Sequence, residues 1–131
     1  MHVRTHERID NGLCGRVTAL AEGHSRVEMT ALAQMGVDAQ GLVHGGFIFG
    51  LADHAAMVAV NDPNVVLGSA QVRFLKPVRI GDAVAAEATV TEGSGKKQIV
   101  DVTVRRGGEA VLEGRFTCFI LAHHVLEGPA T

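Results

Sequence analysis

The feature that most constrains this chain is the segment 47–60, which is apolar on nearly every side. The segment is too long for an ordinary strand, and its Ala, Leu and Met residues favour helix. A helix that is apolar all round must be buried. Proline cannot continue a helix, so the following Asn61-Asp62-Pro63-Asn64 ends it. The sequence therefore predicts one central, buried helix.

The rest of the chain shows strand signals of alternating polar and apolar residues, broken by Gly and Pro. Two strands precede the helix, with a turn at Gly23-His24, and four follow it. The predicted strands are Leu13–Glu22, Arg26–Thr30, Val65–Leu75, Ala83–Thr91, Gln98–Arg105 and Ala110–Leu121, with a hairpin tip at Gly93-Ser94-Gly95. We expect a loop over 33–46, a loose N-terminal lead-in over 1–11 and a C-terminal tail over 123–131.

This pattern predicts an α+β fold in which an antiparallel sheet curls around one helix. A lone helix cannot bury its own apolar surface, and one face of a sheet must be covered. Packing the sheet against the helix buries both surfaces. The 131 residues suffice for a single domain with one core. We therefore expect one domain over 1–131.

Composition excludes several classes of function. The net charge is −2 and the chain has neither Trp nor Tyr, so nucleic acid is not an expected partner. The chain has no long, uncharged apolar stretch of the kind that predicts a membrane span. The polar N-terminus lacks the apolar core of a signal peptide, so we expect a cytoplasmic protein. Cys14 and Cys118 lack metal-ligand spacing, and we expect buried, reduced thiols.

Two motifs carry a family resemblance. Gly41-Leu42-Val43-His44-Gly45-Gly46 precedes Leu51-Ala52-Asp53, and Arg73-Phe74-Leu75-Lys76-Pro77 precedes Gly81-Asp82. Over about residues 12–122 the chain resembles hotdog-fold acyl-CoA thioesterases of the PaaI-like (phenylacetate-pathway) family. The resemblance implies thioester hydrolysis without a metal or other cofactor, homodimers paired into tetramers, a Gly45 N–H that binds the thioester carbonyl, and Asp53 as general base or nucleophile.

The residues themselves support part of this assignment. The first turn of a helix has unpaired N–H groups and a partial positive charge, so the amides of Gly45 and Gly46 suit a developing oxyanion. Alternatively, these glycines only shape a tight passage into the helix. Asp53 lies in an apolar helix, where a carboxylate is costly, so we assign it a chemical role. The alternative is a structural carboxylate that bonds to a neighbouring strand or a symmetry mate.

The histidines and basic residues receive supporting roles. We expect His44 to orient the loop by hydrogen bonding and His54 to be a core or interface residue. His123-His124 lack a third ligand at convincing spacing, so no metal site is predicted. The substrate-binding candidates are Asp38, His44, Gly46, Phe47, Val72, Arg73, Phe74, Lys76, Lys96 and Lys97, with the basic residues directed at CoA phosphates.

One departure from the family pattern concerns Asp38. Some members of the family have an asparagine there, six residues before the histidine, which helps to place the water or the carbonyl. A carboxylate at Asp38 would repel Asp53 if the two lie close together.

We thus expect hydrolysis of an acyl-CoA thioester at a site shared between subunits. Gly45 and Asp53 lie eight residues apart on one helix, about 12 Å along its axis, so one chain cannot bring both to one carbonyl. The alternatives are a non-catalytic acyl-CoA sensor on the same fold and a hotdog dehydratase. A sensor would need an output domain, and the catalytic histidine motif of the dehydratases is absent.

Overall fold

The fold was examined in a computed structural model that describes residues 1–128, so positions 129–131 of the expected tail lie outside the described residues. The elements in chain order are α1 Asn11–Cys14, β1 Arg16–Ala21, β2 His24–Thr30, a 3₁₀ turn Ala33–Met35, α2 Gly45–Val60, β3 Val65–Phe74, β4 Ala83–Ser94, β5 Lys97–Arg106, β6 Glu109–Ile120 and a 3₁₀ turn Val125–Glu127.

The six strands form one antiparallel sheet in the order β1-β2-β4-β5-β6-β3. The sheet packs around the long helix α2, and the predicted hotdog fold is confirmed. Strand β3 directly follows the helix but pairs with the last strand, β6. One long edge of β3 therefore lies at the rim of the sheet.

Small side chains explain how closely α2 sits on the sheet. Inward-facing residues of β4 include Ala86 and Ala88, both fully buried, and the helix contributes buried alanines at 52, 55, 56 and 59. Short side chains on both surfaces let the two backbones approach, and valines of the neighbouring strands fill the space beside them.

The start of the chain differs from the expected loose lead-in. Asp10 accepts hydrogen bonds from the N–H groups of Gly12 and Leu13 and thereby caps the short helix α1, so the first strand starts at Arg16 and not at Leu13. The Arg4 N–H donates to Asn61 Oδ1 (2.7 Å), and Asn61 Nδ2 donates to the His2 carbonyl (3.0 Å). The lead-in is thus fastened to the C-terminal end of α2.

Asn61 also ends the helix. It adopts a left-handed conformation (φ 54°), and its N–H donates to the Met57 carbonyl. The β4–β5 turn is one residue later than predicted, because β4 continues to Ser94 and the positive φ of Gly95 makes the turn.

Within residues 1–128, none of the helices combines the length and hydropathy that a membrane crossing requires. Both cysteines are free: Cys118 is buried and Cys14 is partly buried. Burial raises the pKa of the Cys118 thiol to about 12.

Candidate active site at the start of the central helix

The loop before α2 is pinned on both sides, which fixes where the helix begins. The His44 N–H donates to the Met35 carbonyl (2.9 Å), and the Val43 N–H donates to the Val78 carbonyl (2.9 Å). Asp38 shapes the loop from within, since its Oδ1 accepts from the N–H groups of Gln40 (3.0 Å) and Leu42 (3.1 Å). The exposed Asp38 carboxylate therefore has a local structural task, one that spacing did not reveal.

His44 caps the helix with its side chain. Its Nδ1 accepts a hydrogen bond from the Gly46 N–H at 2.8 Å, which requires an unprotonated Nδ1. Of the two amides expected to face an oxyanion, that of Gly46 is therefore engaged within the chain. Among the described residues no acceptor takes the N–H of Gly45, so this amide remains open at the positive end of α2.

Neighbouring side chains leave no room for a Cβ at Gly46 and a tight but adjustable space for one at Gly45. A Cβ at Gly46 would lie 2.7 Å from His44 Nδ1 and would displace the capping ring. A Cβ at Gly45 would lie 3.1 Å from the Phe74 ring. The His44 ring also lies edge-on to Phe47, with centroids 6.2 Å apart. The first turn of α2 is thus packed tightly beside the open N–H of Gly45.

Asp53 lies two turns further along α2. Its Oδ1 is buried and has no hydrogen-bond partner among the described residues. Burial raises the pKa of Asp53 from 3.8 to about 6. The carboxyl group therefore titrates close to neutral pH, where a general base works efficiently.

The adjacent His54 has the opposite environment. It is only 3% exposed, and its Nδ1 lies 3.0 Å from the Cys14 carbonyl oxygen, to which it donates. Burial lowers the pKa of His54, which keeps the ring neutral. His54 is a satisfied core histidine that fastens α1 to α2.

An apolar groove of about 350 Å³ opens beside Gly45. Phe74, which is 56% exposed, and Lys76 lie on its rim. The other lining residues are Val43, Ile48, Leu75, Pro77, Val78 and Val111. A chain-like apolar group fits such a surface.

Of the ten predicted binding residues, Phe74 and Lys76 line this groove; the eight that do not are Asp38, His44, Gly46, Phe47, Val72, Arg73, Lys96 and Lys97. Val72 packs against the core, and Arg73 points to the outer face of the sheet, where its Nη1 donates to Glu113 Oε1 at 3.2 Å. Arg73 therefore faces away from Gly45, since neighbouring residues of a strand point to opposite faces.

Lys96 and Lys97 lie at the far end of the sheet from Gly45 of the same chain. Lys97 pairs with Phe119 of β6, whereas Phe74 pairs with Leu112. The seven residues between these partners correspond to about 24 Å along β6. The two lysines are therefore beside the C-terminal end of α2 and not at its start.

A larger depression, of about 580 Å³, lies on the outer face of β1, β2, β4 and β5. Neither Gly45 nor Asp53 lines it. Arg26, at its centre, is already paired with Glu28 and Glu87. A hydrogen bond with Thr18 lowers the pKa of Glu28 in this depression, as for an ordinary exposed carboxylate, whereas burial raises the pKa of Asp53. We therefore place the candidate site at α2.

The comparisons with known proteins identify the family of the chain. The chain belongs to the thioesterase superfamily, whose family model matches residues 40–113, a range that contains both Gly45 and Asp53. Acyl-coenzyme A thioesterase PaaI of Escherichia coli (strain K12) is 29% identical over 106 residues, covering 76% of this chain and 75% of that protein.

Two further matches are stronger in identity. The solved structure of the uncharacterized protein PH1136 from Pyrococcus horikoshii has 52% identity and a TM-score of 0.96, and the match covers 97% of this chain and 98% of that one. Methylthioribose-1-phosphate isomerase of Aquifex aeolicus (strain VF5) is 48% identical over 122 residues. This match covers 92% of the chain but only 27% of that protein, so the likeness concerns a part of the relative.

Proposed function

We propose that the protein hydrolyses an acyl-CoA thioester at a site shared between two copies of the chain. Gly45 of one copy donates its N–H to the thioester oxygen, and Asp53 of the other copy activates the attack. One observation carries the proposal. The unpaired donor and the unpaired carboxyl group lie eight residues apart on one helix, about 12 Å along its axis.

A second, antiparallel copy of α2 removes this separation. In a two-fold pair of helices, Gly45 of each chain faces Asp53 of the other, and two identical sites result. Both groups must approach within about 3 Å of the reacting atoms. The positive end of α2 and the open Gly45 amide are already oriented for an oxygen that gains negative charge, which supports this assignment.

The reaction follows from these two groups. The Asp53 carboxylate accepts a proton from water while the water oxygen attacks the carbonyl carbon, and the carbonyl oxygen becomes an oxyanion bonded to Gly45 N–H. The C–S bond then breaks, the acid leaves, and the proton on Asp53 passes to the CoA thiolate. In the alternative with Asp53 as nucleophile, its oxygen attacks the carbonyl carbon, the C–S bond breaks and CoA leaves as the thiolate. Water then hydrolyses the acyl-Asp53 anhydride to the free acid and the Asp53 carboxylate, and the remaining proton of the water passes to the thiolate.

Other residues fit the binding of the substrate. Phe74 and Lys76 border the apolar groove beside Gly45 and suit part of the acyl or pantetheine chain. Lys96 and Lys97 serve the site only from the second copy, because the antiparallel arrangement brings the C-terminal end of one helix to the start of the other. We assign these lysines to the CoA phosphates in trans.

The test mixes two inactive variants. Asp53→Asn removes the base, and Gly45→Pro removes the N–H donor. Proline suits the first residue of a helix, and the extended conformation of His44 before it (φ −62°, ψ 129°) is compatible with proline. After subunits exchange, half of the dimers are mixed and each mixed dimer has one intact site, so about a quarter of the wild-type rate should return.

The assay follows thiol release from short, aromatic and long acyl-CoA substrates. No recovery, with subunit exchange verified by mass-labelled chains, would contradict the shared site. Tight acyl-CoA binding without thiol release from any substrate would contradict hydrolysis and favour the sensor.

A further inference from the structure

Gly50 is a mid-helix glycine that nothing within residues 1–128 explains. A Cβ built at this position meets no atom within 4 Å, and the residue has an ordinary helical conformation. Glycine is the poorest helix former after proline, so its place in the middle of a 16-residue helix is unfavourable. The reason for a glycine here therefore lies outside residues 1–128.

Gly50 belongs to the face of α2 that the sheet leaves uncovered. At about 100° per residue, Phe49, Val60, Asp53, Gly46, Met57 and Gly50 fall within an arc of about 100°. Toward the C-terminal end of this arc Met57 is buried (1% exposed) and Val60 packs against the core, whereas Gly46, Gly50 and Asp53 are not fully buried. The Phe49 ring turns toward the core and packs on Phe116, with centroids 5.5 Å apart. Around Asp53 this face thus has two glycines and little side-chain bulk.

Two positions along α2 that are obtained from different residues nearly coincide: the expected two-fold axis and the midpoint of Gly46 and Gly50. If Gly45 faces Asp53 across a two-fold axis, the axis passes α2 at the midpoint, residue 49. The midpoint of the two glycines, 46 and 50, is residue 48, only about 1.5 Å away along the helix. Small residues four apart allow two helices to approach backbone to backbone.

We propose that Gly50 is a positioning residue at which the central helices of two copies touch, and that this close contact sets the distance from Gly45 of one copy to Asp53 of the other. The proposal rests on the shared site of the proposed function. It adds a size limit at a position that takes no part in the chemistry.

The first experiment tests this size limit. In Gly50→Leu the side chain separates the helices, and we expect kcat to fall about 100-fold with little change in KM, because a displacement of about 1 Å in a catalytic pair has that effect. Gly50→Ala, with a single added carbon, should keep most of the activity. Gly108→Leu is the matched control, since a Cβ at Gly108 also meets nothing within 4 Å and the residue lies in the β5–β6 turn, away from α2.

The second experiment does not depend on activity. In a Cys14→Ser background, Gly50→Cys should form a disulfide-linked dimer under mild oxidation, because the two copies of residue 50 are offset by only about 3 Å along the helices. Val60→Cys falls in the same arc of the helix, near its C-terminal end where Val60 is partly buried against the core, and its two copies are separated by about 33 Å in the antiparallel arrangement. It should stay uncross-linked.

Several results would overturn the proposal. Cross-linking at both positions or only at Val60, or its absence at Gly50 in a protein shown to be dimeric, excludes the antiparallel contact. A Gly50→Leu variant that keeps its kcat for short acyl-CoA and loses only long substrates would place an acyl group, and not a second helix, at Gly50. Failure of the proposed function is distinct: wild-type protein then releases no thiol, whatever the cross-linking result.

Discussion

Polar groups on the two faces of α2 differ in whether they have hydrogen-bond partners within the chain. On the covered face, Ser25 Oγ donates to the Ala55 carbonyl at 2.7 Å, and the His54 ring donates to the Cys14 carbonyl. On the uncovered face, Asp53 Oδ1 is buried without a partner, and Gly50 leaves open space. Asp53 on the uncovered face and His54 on the covered face are adjacent residues of the same helix.

This contrast distinguishes polar groups that stabilise the fold from polar groups that are available for chemistry. A buried polar group that serves the fold is satisfied within the chain, because an unsatisfied one is costly. Asp53 is left unsatisfied and its pKa is raised by burial, which are the conditions expected of a group that awaits a substrate or a second subunit.

The largest expected effect is a loss of turnover caused by a substitution on the uncovered face. Asp53→Asn should lower kcat by about 10² to 10⁴, the usual contribution of general-base catalysis, and leave the fold intact. Steady-state thiol release together with circular dichroism measures both. A folded variant with near-normal kcat would show that Asp53 is not the base.

The matched control is a substitution on the covered face, which should lower stability and not turnover. His54→Ala removes the hydrogen bond to Cys14 and should lower the free energy of unfolding by about 1 to 3 kcal/mol, with kcat nearly unchanged. Urea unfolding monitored beside activity distinguishes the two variants. If His54→Ala loses turnover as severely as Asp53→Asn while remaining folded, the contrast between the two faces fails.

The pH dependence sharpens the comparison. The base acts as a carboxylate, so kcat/KM should fall about tenfold per pH unit below the Asp53 pKa of about 6 and level off above it. Stability has the opposite sign: a raised carboxyl pKa stabilises the fold below about pH 3.8, and this contribution is lost as the pH rises through 6. Asp53→Asn should therefore gain stability over wild type at pH 8, by at most about 3 kcal/mol, and little at pH 4. A rate profile without a step near pH 6 would contradict this.

The smallest expected effect concerns the turn between β4 and β5. Lys96→Ala with Lys97→Ala should raise KM a few-fold at low salt and leave kcat unchanged, because distant charges bind ground and transition states alike. The effect should vanish at high salt. Arg115→Ala, which removes an outer-face charge paired with Asp101, is the control, and an equal rise in KM there would indicate a nonspecific charge effect.

Much of the fold was predictable, because local pattern and burial agree in this chain. The run 47–60 forms a buried helix, and six strands occur in the predicted order, although β1 starts at Arg16 and not at Leu13, and His24 belongs to β2 and not to the turn. The short helix α1 escaped prediction, although Asp10 followed by Asn11-Gly12 is an N-cap signal that could have been read.

The site was predictable only in part. Asp53 stood out as a carboxylate in an apolar helix, and Gly45 as an amide at a helix start. That His44 takes the Gly46 amide, and that Lys96 lies at the opposite end from Gly45, depend on side-chain rotamers and sheet register. Neither is encoded in spacing.

The pairing of β3 with β6 has a consequence for the order in which the molecule is made. Phe74, on the rim of the groove, has Leu112 as its sheet partner, and Val111 of the same strand lines the groove. The ribosome must therefore synthesise the last strand before the groove exists, although the helix and its two polar groups emerge much earlier. Contacts between segments so distant in sequence form slowly, since a long loop must close first. Until β6 is made, β3 has no sheet partner, so the groove beside Gly45 is among the last parts of the domain to assemble.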